Sequence, residues 1–317
     1  MTRPTDILSP AEIKLFNKKQ ALFGAWDVFV TWAMIFGCFA LVYLVPTWWM
    51  AVIAILLLGG RQLALNILMH DAAHDAIFPS KKMNRFVGQW LCAYPVLQDL
   101  ERYRDHHLRH HRFAGSEKDP DVSLVKDFPI TKASMIRKFF RDIIGITGWK
   151  RLYGILLMNL GYVKYTVAAE VIKDNTPRRF FDRLVLAGRR FVGPVFCNAL
   201  LFAGAMLVGA PWLYGLWVIA YLTSFSVFIR VRSIAEHAMT EMDLDPVKNT
   251  RTTKADWLAR VTVAPHHVNY HLEHHLMMSV PSYKLKALHH RLRQQGLYDE
   301  KALYGGSYWS ILKSSTR

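Results

Sequence analysis

Cysteine is scarce in this chain of 317 residues: it has only three, far apart and with no CxxC pair. The sequence therefore offers neither a disulfide framework nor a zinc site built from thiolates, and any bound metal must use other ligands. Acidic residues are also few, 24 against 40 lysines and arginines. Hydrophobic residues make up 52% of the chain, which excludes an intrinsically disordered protein.

The formal net charge of +16 indicates an anionic partner, either nucleic acid or a negatively charged membrane surface. Long uncharged apolar runs decide between the two, because a membrane helix needs about 20 such residues whereas a soluble nucleic-acid-binding protein has no use for them. We therefore expect an integral membrane protein that binds no nucleic acid, and we attribute the basic excess to the membrane surface.

Four apolar runs are joined in pairs by short connections that carry no charge. The runs are residues 26–45, 48–69, 191–208 and 212–229. Basic residues are concentrated before the first pair, between the pairs and after the second pair, so the positive-inside rule predicts that these three regions and both termini are cytoplasmic. The predicted fold class is all-α: a polytopic membrane protein with four transmembrane helices in two hairpins and a cytosolic helical cap.

We expect one membrane-embedded domain over residues 1–317. Ser9 and Glu12 are spaced as a capping box, which predicts the start of an interfacial helix that leads into the first span. The predicted parts are an interfacial N-terminal helix at 1–25, the first hairpin at 26–69, a cytosolic or interfacial region at 70–190, the second hairpin at 191–230 and a cytosolic C-terminal region at 231–317.

Polar residues inside the apolar stretches are informative about packing. Arg61, Gln62 and Asn66 lie in the second half of the second run, where facing lipid would be costly, so we expect them to face the interior of the bundle. Three basic residues interrupt residues 142–171. This pattern favours an interfacial helix over a fifth span, which would put the later histidines on the opposite side of the membrane from the earlier ones.

The 14 histidines are mostly clustered. The clusters are His70 and His74 in HDAAH, His107, His110 and His111 in DHHLRHH, and His271, His274 and His275 in NYHLEHH, with His237 alone after the fourth run. One HxxxH pair at a membrane interface is usually a pair of headgroup contacts, but two HxxHH motifs beside it are hard to explain as solvated surface. Spacings of three and four residues place imidazoles on one helical face, so we predict a metal site.

The number of histidines bears on the number of metal ions. Tetrahedral zinc takes four ligands, so eight clustered histidines with His237 as a ninth overfill one ion and fit two. Imidazole suits zinc, iron, copper and nickel, and the residues alone leave the identity of the metal open.

For the residues near the histidine clusters the sequence predicts supporting or ordinary roles. Four carboxylates beside the histidines could accept a second ring N–H from a metal ligand, or each is a plain surface acid; they are Asp71, Asp75, Glu236 and Glu273. The remaining histidines near the clusters or on the basic C-terminal segment are expected to contact solvent or headgroups; they are His106, His266, His289 and His290. Asp119-Pro120-Asp121 is interpreted as an ordinary turn.

HDAAH, HLRHH and HLEHH, in this order around two hydrophobic hairpins, resemble the three histidine boxes of the membrane-bound fatty acid desaturase and hydroxylase superfamily. The resemblance covers about residues 26–290 and includes the context NYHLEHHLMMSVPSYKL. It implies a cytosol-facing centre of two iron ions (Fe2+), O2 as co-substrate, and a separate electron carrier of the ferredoxin or cytochrome b5 type. The implied metal ligands are His70, His74, His107, His110, His111, His237, His271, His274 and His275. A tenth ligand in some members is an asparagine one turn before the lone histidine; here that position is Ser233, and His267 is an alternative.

The resemblance implies a membrane enzyme that introduces a double bond into a fatty acyl or similar lipid chain. Nothing in the sequence separates this reaction from hydroxylation or ketolation of a lipid, sphingolipid or carotenoid. A zinc protease is disfavoured because no HExxH string occurs. A membrane metal transporter is the alternative from another class, although its ligands would lie near the bilayer midplane, whereas these histidines lie beyond the ends of the runs.

Overall fold

The computed structural model describes residues 1–168, 170–300 and 302–317, and these are mostly helical. The helices are α1 Pro10–Asn17, α2 Ala21–Leu44, α3 Trp48–Ala73, α4 Lys81–Val87, α5 Leu100–Phe113, α6 Lys132–Ile143, α7 Ile146–Asn159, α8 Phe180–Leu207, α9 Trp212–Leu222, α10 Ser224–His237, α11 Pro246–Asn249, α12 Trp257–Val261, α13 His271–Leu276, α14 Ser282–Gln294, α15 Leu297–Glu300 and α16 Tyr308–Ser314. A π-helical segment, Gly88–Ala93, follows α4. Strands β1 Arg251–Lys254 and β2 Leu303–Ser307 form a parallel pair in which Arg251 lies opposite Leu303.

Within the described residues, four helical stretches are long and apolar enough to cross a membrane. They are Ala21–Leu44, Trp48–Ala73, Phe180–Leu207 and Trp212–His237, the last consisting of α9 and α10 with a break at Thr223. This confirms the predicted helical membrane protein. The second and fourth stretches are inner helices, with 67% and 50% of their apolar windows buried, whereas the first and third, at 28% and 11%, are the outer ones.

Helix boundaries differ from the predicted runs in three places. The capping box at Ser9 starts α1 as predicted, but extended backbone at Lys18 ends that helix, so the N-terminal region is not one helix leading into the span. In the second pair of runs, predicted at 191–208 and 212–229, α8 begins earlier, at Phe180, and α10 ends later, at His237. Apolar runs mark only the part of a helix that meets hydrocarbon, whereas these helices continue into polar surroundings.

The polar residues of the second span lie inside the bundle, as predicted. Arg61 and Gln62 are buried and Asn66 is half-buried. Arg61 donates from a terminal guanidinium nitrogen to the carbonyl oxygen of Val261 at 2.9 Å, and Gln62 Nε2 donates to the carbonyl oxygen of Trp217 at 2.8 Å. These bonds tie α3 to α12 and α9.

Residues 142–171 contain the end of α6 and all of α7. At 14 residues, α7 is too short to cross a bilayer. As predicted, this region forms no fifth span within the part of the chain that the structure describes.

Gly60 marks a close contact between α3 and the C-terminal end of α12. A Cβ atom at this position would lie 2.3 Å from the carbonyl oxygen of Val261 and 3.0 Å from Thr262 Cα. We predict that Gly60→Ala lowers the free energy of unfolding by about 1–3 kcal/mol, because the backbone must shift to admit the methyl group. The midpoint of thermal unfolding in detergent measures the effect.

The matched control is Gly37→Ala in α2, where no atom lies within 4 Å of the added Cβ. This variant should unfold at or above the wild-type temperature, because alanine favours a helix more than glycine does. Equal midpoints for the two variants would contradict the close packing at Gly60.

Candidate metal centre

The histidine boxes, each defined here by the motif that carries it, meet at one end of the helix bundle. Box one ends α3, where His70 lies in the last turn and His74 is the C-cap residue. Box two lies on α5 and box three on α13, while His237 is the last residue of α10. The ring centroids of His70 and His274 are 4.3 Å apart, so boxes one and three lie on the same side of the bundle.

All nine implied ligands fall into two groups, within each of which one ring nitrogen per histidine lies within 4.8 Å of the others. The first group is His70, His74, His107, His111 and His274, and the second is His110, His237, His271 and His275. Most of these residues are buried, and the others are half-buried.

Helical geometry explains why boxes two and three are each divided between the groups. His107 and His111 are four residues apart on α5 and share a face, which turns to the first group. His110 precedes His111 by one residue, about 100° away around the helix, and joins the second group. Box three has the reverse arrangement, since His271 and His275 join the second group and His274 the first.

Ring nitrogens approach each other closely within both groups. His111 Nε2 lies 3.0 Å from His107 Nε2 and 3.0 Å from His274 Nε2. In the second group, His271 Nε2 lies 2.8 Å from His237 Nε2. Nitrogens bound to one shared ion at about 2.0–2.1 Å are themselves about 3 Å apart, so these spacings suit a metal ion in each group.

Several buried ring nitrogens have no hydrogen-bond partner among the described residues. They include the Nε2 atoms of His70, His74 and His275 and the Nδ1 atom of His271. Buried polar atoms are nearly always paired, and each one left unpaired costs about 1–3 kcal/mol. Metal coordination would satisfy such atoms, and an all-imidazole donor set fits iron among other transition metals.

Hydrogen bonds from Nδ1 orient the rings of two histidines, His70 and His237, that lie at the ends of membrane-spanning helices. His70 Nδ1 donates to Asp71 Oδ1 at 2.9 Å, so of the two roles left open for Asp71 the structure shows the ring partner. His237 Nδ1 donates to the carbonyl oxygen of Asn249 at 3.1 Å. In both residues the proton on Nδ1 leaves Nε2 free to face the group, as in metal-binding histidines.

Two carboxylates in the turn after box two accept hydrogen bonds from histidines of α5. His110 Nδ1 donates to Asp119 Oδ1, and His106 Nε2 donates to Asp121 Oδ1, both at 2.8 Å. His106 is only 2% exposed, so its expected contact with solvent or headgroups is wrong. The interpretation of Asp119-Pro120-Asp121 as an ordinary turn was incomplete, because its carboxylates hold two histidines of α5.

Burial lowers the pKa of most site histidines outside the membrane-spanning segments. Burial, together with the nearby Arg104 charge, lowers the pKa of His74 to about 3. The pKa values of five other site histidines are also well below the usual value, mainly because of burial and secondly because of neighbouring imidazoles. These residues are His107, His111, His271, His274 and His275. Neutral imidazole is the form that binds metal ions, so these shifts favour coordination.

The pKa of His110 is raised instead. Burial alone would lower it, but the hydrogen bond to Asp119 and the charge of Asp121 more than offset that effect. The two carboxylates lie 2.8 and 3.7 Å from His110 Nδ1, which explains the direction of the shift.

Two of the carboxylates flanking the boxes bind arginine. Asp75 lies 3.6 Å from a guanidinium nitrogen of Arg85, and Glu236 Oε1 accepts from Arg232 Nε at 2.7 Å. Glu236 also lies 3.5 Å from His271 Nδ1, longer than a good hydrogen bond. Neither of the two predicted alternatives, a ring partner or a plain surface acid, describes these carboxylates fully: Asp75 pairs with arginine, and Glu236 pairs with arginine and makes only a long contact with a box histidine.

Glu273, inside box three, holds neighbours from the C-terminal region rather than a box histidine. Its fully buried carboxylate accepts from the hydroxyl of Thr252 at 2.5 Å, from His289 Nδ1 at 2.6 Å and from the hydroxyl of Tyr298. These donors lie on β1, α14 and α15, so one side chain joins box three to three elements. The expectation that His289 contacts solvent or headgroups is therefore wrong.

The other histidines lie outside both groups. His266 Nε2 is 2.9 Å from the hydroxyl of Thr31 in α2, so it is not a simple surface residue, whereas His290 is exposed as expected. His267, the alternative tenth ligand, belongs to neither group, and Ser233 lies on α10.

We predict that Glu273→Gln lowers the free energy of unfolding by about 2 kcal/mol, because the neutral amide oxygen accepts from His289 and Tyr298 more weakly than the carboxylate does. Thermal unfolding of the purified protein measures the change. His290→Ala, on the exposed side of the same helix as His289, is the control and should unfold like the wild type. If Glu273→Gln matches that control, the carboxylate does not anchor box three.

Fold and site together define a helical membrane protein with a buried, histidine-rich site of the kind that binds transition metals. The model of the fatty acid desaturase family matches residues 46–308. This chain therefore belongs to the fatty acid desaturase family, which confirms the resemblance in the sequence.

Similar proteins carry desaturase and ketolase names. The chain is 30% identical to a dihydrorhizobitoxine desaturase of Bradyrhizobium elkanii, over 94% of this chain and 82% of that protein. It is 23% identical to an sn-1 oleoyl-lipid 12-desaturase of Picosynechococcus, over 92% and 82% of the two chains. A beta-carotene ketolase of Paracoccus is 24% identical over 74% and 78%. The chain is accordingly a desaturase-type oxidoreductase of the membrane.

Proposed function

We propose that this protein is an O2-dependent enzyme that uses two ferrous ions to introduce a double bond into a fatty acyl or similar lipid chain. The observation that carries the proposal is the division of nine clustered histidines into groups of five and four, each with ring nitrogens within 4.8 Å. Each group supplies enough imidazole nitrogens for one ion. The proposed ligands are the members of these two groups.

Iron bound there would supply the activation of O2 that breaking an unactivated C–H bond requires. The protein's own residues would prepare the site. Burial of His70 and His274 keeps bulk water away from the reacting region. Hydrogen bonds from Nδ1 of His70 to Asp71, and from Nδ1 of His110 to Asp119, hold the rings in the tautomer with Nε2 free.

Two observations support a lipid substrate: the names of the relatives and the position of the site at the end of membrane-spanning helices. Three of the relatives are named for oleoyl lipids, although another is named for dihydrorhizobitoxine. A site at the end of membrane-spanning helices suits a long apolar chain that enters from the bilayer and is fixed in position along its length. We propose a fatty acyl lipid on these grounds.

The remaining parts of the proposal concern arrangement and electron supply. The four spans would form two hairpins beneath a cytosolic helical cap, in one desaturase-like domain, with both termini and the histidines cytoplasmic because the flanking regions are basic. Electrons would come from a separate carrier of the ferredoxin or cytochrome b5 type. The net charge of +16 would favour docking of an acidic carrier.

Ketolation or hydroxylation is the second candidate, because one relative is named as a beta-carotene ketolase. The two outcomes share removal of a first hydrogen and differ in whether a second hydrogen leaves or oxygen is added to the carbon. A product with an added oxygen atom would favour this candidate.

We predict that the purified wild type binds about two iron ions per chain, one for each histidine group. His271→Ala leaves three imidazoles in the second group, fewer than the four that the proposed ion uses, and should lower the iron content to about one ion per chain. Iron analysis of the folded proteins tests this, with His290→Ala as the control that keeps the wild-type content. Full iron content in His271→Ala would contradict the proposed ligand set.

We predict that cells making the wild type or His290→Ala contain a new unsaturated lipid, and that His111→Ala lowers its amount by about a hundredfold or more. Mass spectrometry of total lipids measures the product and its double-bond position. Identical lipid profiles with and without the wild type would contradict an acyl-lipid substrate. Metal flux into vesicles without lipid oxidation would instead support a transporter.

A further inference from the structure

The membrane-spanning part of the protein contains a large apolar cavity. This cavity of about 950 Å³ is bounded by α2, α8, α9 and the segment from Met83 to Pro95. Its wall on α2 extends from Ala25 to Tyr43, a helical length of about 27 Å at 1.5 Å per residue. This length is close to the hydrocarbon thickness of a bilayer, about 30 Å.

The cavity is separate from the histidine groups. Among the described residues, none of the nine clustered histidines lines it. Val28 and Phe78 form part of its wall and pack in one hydrophobic cluster with Leu100 and Tyr103. The ring of Tyr103 in turn stacks on His107 with centroids 5.2 Å apart. A layer of side chains therefore stands between the cavity and the site.

The shape and chemistry of the wall suit a hydrocarbon chain. Phe29, Trp32 and Phe36 present aromatic surface, while small residues such as Ala40 and Gly204 leave depth. A Cβ atom added at Gly204 would meet no atom within 4 Å. Because much of the wall belongs to the outer helices α2 and α8, which face lipid, a flexible acyl chain gains dispersion contacts there without displacing bound water.

Charge at one end of the cavity indicates the kind of lipid. Met83 lines the wall at this end, and the two residues before it, Lys81 and Lys82, open α4 and are exposed. Basic side chains at a membrane surface attract anionic lipid headgroups. We propose that this cavity binds one acyl chain of an anionic phospholipid whose phosphate contacts Lys81 and Lys82.

Photo-crosslinking tests the proposal in the full-length protein, reconstituted in vesicles that contain phosphatidylglycerol with a diazirine on one acyl chain. Mass spectrometry should locate the crosslinks on α2 and α8. Gly204→Leu places a side chain in the cavity and should lower this labelling about tenfold, equivalent to about 1.4 kcal/mol of binding free energy. Gly37→Leu is the matched control, because its Cβ also meets no atom within 4 Å but its position lies outside the wall.

A second comparison tests the headgroup. The same diazirine chain on phosphatidylcholine should label the wild type several-fold less, and the double variant Lys81→Gln, Lys82→Gln should remove the difference between the two lipids. Equal labelling of Gly204→Leu and Gly37→Leu, equal labelling by the two lipids in the wild type, or crosslinks between two protein copies at this wall would each overturn the proposal. Iron content is measured alongside, so that failure here is distinguishable from failure of the proposed metal centre.

Discussion

The structure depends on bringing nine imidazoles from distant parts of the chain together, most of them buried, at one end of a helix bundle. Such a cluster is costly by itself, because buried ring nitrogens without partners lose their hydrogen bonds to water. Helical spacing makes the cluster feasible. Residues four apart share a face, and an adjacent histidine turns to the other side, so α5 and α13 each serve both groups.

Contacts around the cluster fix the rings. Asp71, Asp119 and the carbonyl oxygen of Asn249 each accept from the Nδ1 atom of one histidine. Box three is held in a different way, through the buried carboxylate of Glu273 and its three donors from the C-terminal region. The elements around box three, β1, α14 and α15, therefore support the site structurally. The inner helices α3 and α10 deliver their histidines by continuing beyond the apolar part of each span.

Features encoded locally could be predicted from the sequence: the apolar runs, the capping box at Ser9 and the repeated histidine spacing. Contacts between distant residues could not. Nothing in the sequence pairs Glu273 with His289, and the turn residue Asp121 looked unremarkable without the position of His106. Carboxylates adjacent to the boxes were the natural candidates for ring partners, but sequence neighbours on a helix often point elsewhere. The division of boxes two and three between two groups also required the structure.

The most direct measurement is an experimental structure of the iron-loaded protein with anomalous scattering recorded at the iron edge. Two proposed ions predict two peaks, one among the ring nitrogens of the first group and one among those of the second. No cysteine sulfur should lie between the two ions, since the three cysteines lie outside both groups. A single peak, or peaks away from these nitrogens, would contradict the proposed metal centre.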